Sequence, residues 1–222
     1  MEVKLLACTP DGDALAGLAA ATCTKSGNHL KALEHALKGG HESVIEHVSF
    51  TFRISGVSRA LLAQLTRHRI GISFSVQSQR YCDMGEMPLV IPESIKENKE
   101  LLNEFGIVMD AVKAFYHKAV KAGIPKEDAR YATPQAAVTE IVMTANAREL
   151  KHFFSLRCCN RAQWEIRELA DRMLAICKDK CPVIFADAGP GCVYDICPEE
   201  HPCGNPRTFD ELFDRSNNPL GK

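Results

Sequence analysis

Between His47 and Cys82 the chain carries Arg53, Arg59, Arg67, Arg69 and Arg80 together with His47 and His68, and no Asp, Glu or Lys. A guanidinium stays charged when partly buried, and its planar fork meets phosphate oxygens or a carbonyl–imide edge with two parallel hydrogen bonds. The run is therefore a candidate site for an anion or a polar heterocycle. Complementing the dipole of a helix C-terminus, worth about 0.3–1 kcal/mol per cation, accounts for one of Arg67 and Arg69 but not for five arginines without a neighbouring acid in sequence. A further cation stands apart. Arg157 follows Leu150, Phe153 and Phe154 at i, i+3, i+4 and i+7, so it falls on the apolar stripe of its own helix. A buried charge without a partner is costly, so a core carboxylate or an anionic ligand should meet it.

The cationic island is local, because 27 Lys and Arg balance 28 Asp and Glu over 222 residues. A nucleic-acid-binding module would carry a basic overall charge and interleaved exposed aromatics, whereas this chain has a pI near 6.7 and 7% aromatic residues. The N-terminal MEVKLLACTPDGD is too short in its apolar run for a signal sequence, and no later stretch approaches the ~18 apolar residues of a membrane span. A cytoplasmic protein is expected, with neither membrane nor nucleic acid as partner. Ten cysteines then read as free thiols or metal ligands, and no pair has C-x-x-C spacing. Cys158 and Cys159 adjoin Arg157 but are not nominated as nucleophiles, since a free cysteine is more often a small buried hydrophobe. The spacings of Cys177, Cys181, Cys192, Cys197, His201 and Cys203 fit no common zinc template, so no metal is assigned; a metal-dependent regulator built on this tail is the alternative reading. Neither G-x-G-x-x-G nor a Walker loop is present.

The elements that must hold these residues follow from periodicity. Residues 2–8 predict a strand, Pro10 to Asp13 a turn and Leu15 to Lys25 a helix; Leu30, Leu33 and Leu37 recur at helical spacing until Gly39 and Gly40. His41 to His47 predicts a short helical turn, after which Val48, Phe50, Phe52 and Ile54 alternate as in a half-buried strand. Ser58 caps a helix bearing Leu61, Leu62 and Leu65 that should end near Arg69, which would leave Arg67 and Arg69 at a helix terminus whose dipole repels phosphate. The Ser-rich stretch from Ile72 to Tyr81 reads as irregular or strand. The longest helix is expected from Ser94 to Ala122, with Leu101, Phe105, Val108, Val112, Phe115 and Ala119 along its buried face. Ala136 to Ala145 predicts a strand, Asn146 caps a helix to Arg157, and Gln163 to Asp179 predicts another helix. The length suits one domain over residues 1–222, with 190–222 as a Cys-, Pro- and Gly-rich irregular tail.

Arg67-His68-Arg69, eight residues, then Ser78-Gln79-Arg80-Tyr81 resembles the RHR-x7-S-x-R-Y signature of the flavin-dependent thymidylate synthases. His41-Glu-Ser-Val-Ile-Glu-His47 with Phe50-Thr-Phe52, Asn146-Ala-Arg148, Leu156-Arg157 and Ala162-Gln-Trp-Glu-Ile166 resemble the same family in order and approximate spacing, over residues 41 to 182. The resemblance implies a single α/β domain of the α+β type, a mixed sheet packed with long helices, assembled as a homotetramer whose active sites are shared between subunits around FAD. It implies that Ser49, Arg67, His68, Arg69, Asn146 and Arg148 contact FAD, with His47 beside the flavin. Gln64, Arg67, Ser78, Gln79, Arg80, Arg130 and Arg157 match the positions that hold the nucleotide.

Departures from the pattern matter at three points. The gap after Arg69 is one residue longer than the commoner seven, so a flavin contact there falls to Val76 or Gln77. His152 stands where an Asn often contacts FAD, and Arg161 where a His is common. The reaction that the resemblance implies is conversion of dUMP to dTMP. Arg157 stabilises the N3-deprotonated uracil, 5,10-methylenetetrahydrofolate donates the carbon, reduced FAD the hydride, and NADPH restores the flavin. Ser78 is read as a nucleotide contact, not a nucleophile, because no general base is assigned beside it. Arg80 and Arg130 are the residues expected to meet the phosphate.

Overall fold

A computed structural model of the chain describes residues 1–194 and 197–213. Strands β1 (Glu2–Cys8), β2 (Ser49–Ser58), β3 (Ile72–Val76) and β4 (Val138–Asn146) form one sheet in the order β1-β2-β4-β3. The Thr9 amide donates to the Ser49 carbonyl at 3.0 Å, and the Thr51 and Thr144 hydroxyls meet at 2.9 Å. The Gln77 amide donates to Glu140 and the Asn146 amide to Gly71, each at 2.9 Å. Partner numbers fall on one strand as they rise on the next, so the sheet is antiparallel throughout where a mixed sheet was expected. One-faced alternation agrees with this: Phe50, Phe52 and Ile54 are buried while Ser49 and Arg53 are exposed and Thr51 is partly so. The α+β class holds.

The helices in chain order are α1 (Gly12–Thr24), α2 (His29–Lys38), α3 (Arg59–Leu65), α4 (Glu93–Lys96), α5 (Lys99–Lys121), α6 (Lys126–Ala129), α7 (Ala147–Arg157), α8 (Trp164–Lys180) and α9 (Phe209–Phe213). The chain groups into two compact units with interleaved segments. The first holds Met1–Glu2, Ile54–Thr66 and Ser75–Ile141; the second holds Val3–Arg53, Arg67–Phe74 and the chain from Val142 onward. Strands β2, β3 and β4 each begin in one unit and finish in the other, so no point in the sequence divides them.

In the second unit, Phe185 lies edge-on to Phe50 at 5.6 Å and to Phe154 at 6.0 Å. Leu33, Ile45, Leu169 and Met173 complete this fully buried core, each side chain contributing about 1.5–3 kcal/mol of transfer free energy. Asp13 ties α1 to the chain after α8, its carboxylate oxygens each accepting at 3.0 Å from the amides of Val183 and Ile184.

In the first unit, the Ser58 hydroxyl accepts from the Leu61 amide at 3.0 Å and starts α3 as expected. The helix stops at Leu65, not near Arg69. The Thr66 hydroxyl and amide both turn back onto the Leu62 carbonyl, at 2.9 and 3.0 Å, and close the last turn. Arg67, His68 and Arg69 therefore lie in the loop after the helix, and the dipole argument for them lapses. The long helix expected from Ser94 is interrupted at Asn98, whose extended backbone and side-chain oxygen, accepting from Glu100 and Leu101 amides at 3.1 and 3.2 Å, open α5 afresh. Its buried face agrees with the expected one at Val112 and Ala119 and differs at Leu101, Val108 and Phe115. Met109 and Tyr116 are buried, and Val112, Ala119 and Val120 pack on Met84, Met87, Ala129 and Ala137. Leu101, Val108 and Phe115 are 48%, 55% and 56% exposed.

Beyond Gly189 the described chain forms a 3-10 turn at Gly191–Tyr194 and the short α9, with irregular backbone between. Arg207 anchors it, donating to Asp171 of α8 at 2.9 Å and to the Cys158 carbonyl at 3.1 Å. Residues 195–196 and 214–222 of the expected tail lie outside the described residues.

Candidate active site

The loop between α3 and β3 turns Arg67 and Arg69 outward and His68 inward, where it is 6% exposed. Its ring lies edge-on to Phe153 of α7, centroids 5.0 Å apart. His68 Nδ1 is 2.9 Å from Glu149 Oε1, and Arg157 Nε is 3.1 Å from His68 Nε2. A guanidinium only donates, so Nε2 is the acceptor and Nδ1 carries the proton and donates to Glu149. Burial lowers the His68 pKa below its ordinary value; the hydrogen bond to Glu149 opposes this and the Arg157 charge reinforces it. The ring is neutral, as this hydrogen-bond pattern requires.

Arg157 ends α7 and is half-buried. Its pKa is lowered by burial and then by Arg67, yet no carboxylate forms an ion pair with it among the described residues. Of the two partners expected for Arg157, a core carboxylate or an anionic ligand, the carboxylate is met among the described residues only at one remove, through His68. Glu149 was not anticipated from sequence. Its spacing was the available signal, since Glu149, Phe153 and Arg157 recur every four residues on one stripe of α7. Asn146 starts that helix, its side-chain oxygen accepting from the Glu149 amide at 2.9 Å. Gly71 makes room for it: its φ is +69°, and a Cβ there would lie 2.6 Å from Asn146 Nδ2.

Around this cluster, His47, Ser49, Arg67, Arg69, Arg148 and His152 are all exposed in the second unit. Arg67 and Arg69 make no hydrogen bond or ion pair among the described residues. Arg148 does: Glu46 at 2.5 Å and Glu42 at 3.8 Å hold it, and the Glu46 hydrogen bond raises its pKa. The His152 ring lies 6.1 Å from that of His68. Since both His68 nitrogens are occupied, any contact it makes to a flavin falls to its backbone.

The first unit carries the other expected residues, most of them around a cavity of about 490 Å³. Val76, Gln77, Ser78, Gln79 and Arg130 line it, with Arg59 and Thr133, and none of its lining residues is acidic. Arg59 comes from the first turn of α3 and donates to the Gln77 carbonyl at 2.7 Å, while its buried Nε has no acceptor. Its pKa is lowered by burial and then by Arg130. Two like charges facing one cavity without an acid describe an anion site. Gln79 is fixed by Thr133 at 3.1 Å, and Thr133 by the Arg130 carbonyl at 2.7 Å. Gln64 and Arg80 do not line the cavity; Arg80 pairs with Glu127 at 2.8 Å on the surface. Sequence reading placed Arg59 in the cationic island without assigning it to a ligand, and its capping neighbour Ser58, which fixes where α3 begins, was the signal that it points from a helix start.

Cys158, Cys177 and Cys181 are not poised as nucleophiles. Burial, and after it Asp171, pushes the Cys158 pKa well up; burial does the same for Cys177 and takes Cys181 to about 11. Cys192, Cys197 and Cys203 are free thiols, and no three His, Cys, Asp or Glu side chains group as metal ligands among the described residues.

Residues 4–183, which include both clusters, match the family model described as thymidylate synthase complementing protein. The flavin-dependent thymidylate synthase of Geobacter sulfurreducens is 46% identical over 228 residues, covering 96% of this chain and 98% of that protein. The chain belongs to the flavin-dependent thymidylate synthase family. The flavin-dependent thymidylate synthase of Clostridium tetani is 38% identical over 242 residues, covering 96% and 97% of the two chains. That of Pyrococcus furiosus is 48% identical over 178 residues, covering 76% and 72%. For an enzyme of this family the donor set fits a flavin nucleotide: Arg67 and Arg69 are guanidiniums without partners among the described residues, and His47, Ser49 and His152 are exposed as well, which suits an anionic group with a polar ring system. Arg207 and the tail lie beyond the matched segment.

Proposed function

We propose that the protein makes dTMP from dUMP by reductive methylation, with 5,10-methylenetetrahydrofolate as the carbon donor. FAD, when bound, supplies the hydride, and NADPH restores it. The observation that carries this reading is Arg157: a half-buried guanidinium, fixed through Nε by a neutral imidazole and neutralised by no carboxylate among the described residues. Attack by C5 of a uracil on a one-carbon unit requires negative charge in the ring, and Arg157 stabilises that charge as N3 loses its proton. No thiolate need add to C6, in keeping with the raised pKa of Cys158.

Arg59, Arg130, Ser78 and Gln79 are assigned to the nucleotide phosphate, with Gln64 and Arg67 as further nucleotide contacts. Arg80 joins them by leaving Glu127, an exposed pair worth about 0–1 kcal/mol and so readily broken. Ser49, Arg67, Arg69, Asn146, Arg148 and His152 are assigned to FAD, with the backbone of His68, with Gln77 and with His47 beside the flavin. A homotetramer with shared sites belongs to the same reading and is supported by the exposed apolar stripe of α5. So does a cytoplasmic location, which ten free cysteines suit; no described helix is long and apolar enough to cross a membrane. Purified protein supplied with FAD, NADPH, methylenetetrahydrofolate and dUMP should form dTMP and lose flavin absorbance when NADPH is added without oxygen. Protein that takes up no FAD and yields no dTMP overturns the reading.

A further inference from the structure

Glu149 is largely sheltered beside His68 and has had no place in the chemistry so far. We propose that Glu149 is a positioning residue for the reaction: its carboxylate holds His68 in the Nδ1–H tautomer, and His68 Nε2 fixes the guanidinium of Arg157 toward the nucleotide base. This rests on the assignment of Arg157 above and names the device that keeps its side chain in place.

Geometry separates this role from helix capping. In a capping box the acid at this position reaches back to the amide of the capping residue. Here the Asn146 amide is already bonded to Gly71, and the Glu149 carboxylate turns instead to His68 at 2.9 Å. Both side chains are sheltered, His68 at 5% and Glu149 at 11% exposure, so the carboxylate is held where a specific partner counts most. The groups facing His68 from α7 are Glu149, His152, Phe153 and Arg157, and Arg67 acts on Arg157 from the loop.

The order of the three groups explains why an imidazole stands between acid and base. A carboxylate in direct contact with Arg157 would neutralise the charge that must stabilise the uracil anion, and would compete with it for the guanidinium. A neutral ring passes on orientation without that cost. The only hydrogen bond of Arg157 among the described residues uses Nε, which leaves both terminal nitrogens for a ligand. With the Glu149 carboxylate gone, the ring is free to carry its proton on Nε2, and donor then faces donor at Arg157.

The test is a cycle of Glu149→Ala, Arg157→Ala and the double variant, with Glu149→Gln alongside, each as the FAD-loaded protein with kcat and dUMP KM measured. Glu149→Ala should lower kcat roughly 10- to 100-fold, the scale of a misplaced catalytic group, and leave KM within about threefold, since the lost interaction acts in the transition state. Glu149→Gln, whose amide oxygen still accepts from Nδ1–H, should restore most of that kcat. The double variant should be no slower than Arg157→Ala alone, because both changes remove one function. Wild-type kcat in Glu149→Ala, or losses that multiply in the double variant, overturns the positioning role while Arg157 keeps its own. Wild-type kcat in Arg157→Ala overturns the reading beneath it. Side-chain nitrogen NMR of the unmodified protein decides the matter without any variant: His68 should carry its proton on Nδ1 at neutral pH, and the opposite tautomer refutes the proposal.

Discussion

A guanidinium can stabilise charge that develops on a substrate only if the protein has not already satisfied it. Arg157 meets that condition, and Arg59 and Arg130 meet it in the other cluster, where no acid lines their cavity. The phosphate assignment makes a direct prediction. Charge-assisted hydrogen bonds are worth about 1.5–3 kcal/mol, so Arg130→Ala should raise the dUMP KM roughly 10- to 100-fold with a smaller change in kcat. Steady-state kinetics checks this, and a fall in kcat at unchanged KM would move Arg130 away from the phosphate. At this scale the cations were readable because an arginine on an apolar stripe, or five without an acid in between, contradicts ordinary patterning. Glu149 was not readable in the same way. An acid in the first turn of a helix looks like dipole complementation, and only the inward turn of His68 from a loop 81 residues earlier gives it another use.

Elements hold these residues through local hydrogen bonds that a periodicity argument sees only in part. Asn146 and Ser58 were legible as caps because each precedes an apolar stripe, and both bond as expected. The end of α3 was not, since nothing in an apolar repeat signals that the Thr66 hydroxyl will close the helix four residues early. Asn98 shows the same limit: a single capping side chain splits a stretch whose apolar spacing runs on. Replacing that cap has a defined cost. Asn98→Ala should destabilise the protein by about 1 kcal/mol and lower its melting temperature by about 2–4 °C, with dTMP formation unchanged at ambient temperature. Calorimetry beside an activity assay checks both halves, and an unchanged melting temperature would show that α5 gains nothing from the cap. The inward face of α5 was legible only in part: Val112 and Ala119 pack inward as their spacing suggests, but Leu101, Val108 and Phe115 form a second, exposed apolar stripe, and composition cannot rank the two.

At the scale of the molecule, that second stripe is the feature a lone chain leaves unexplained. Leu101, Val108 and Phe115 repeat every seven residues and are about half exposed, with Ile107 beside them at 62%. The proposed homotetramer would place this surface against another copy of the chain. On that proposal Phe115→Glu should convert the tetramer to smaller species in light scattering and depress activity with it, if sites are shared between subunits; an unchanged mass would place the interface elsewhere. The α+β class was legible from alternating and helical periods, whereas the division into two units was not, because their segments interleave and strands run through both. What makes the whole an enzyme is the claim that Arg157 carries the charge of the reacting base. The most direct measurement is the kcat of Arg157→Ala at saturating dUMP in protein that still binds FAD. The account predicts a fall of roughly 10²- to 10³-fold, the cost of removing one preorganised charge-stabilising donor, and a kcat near that of the unaltered enzyme would contradict it.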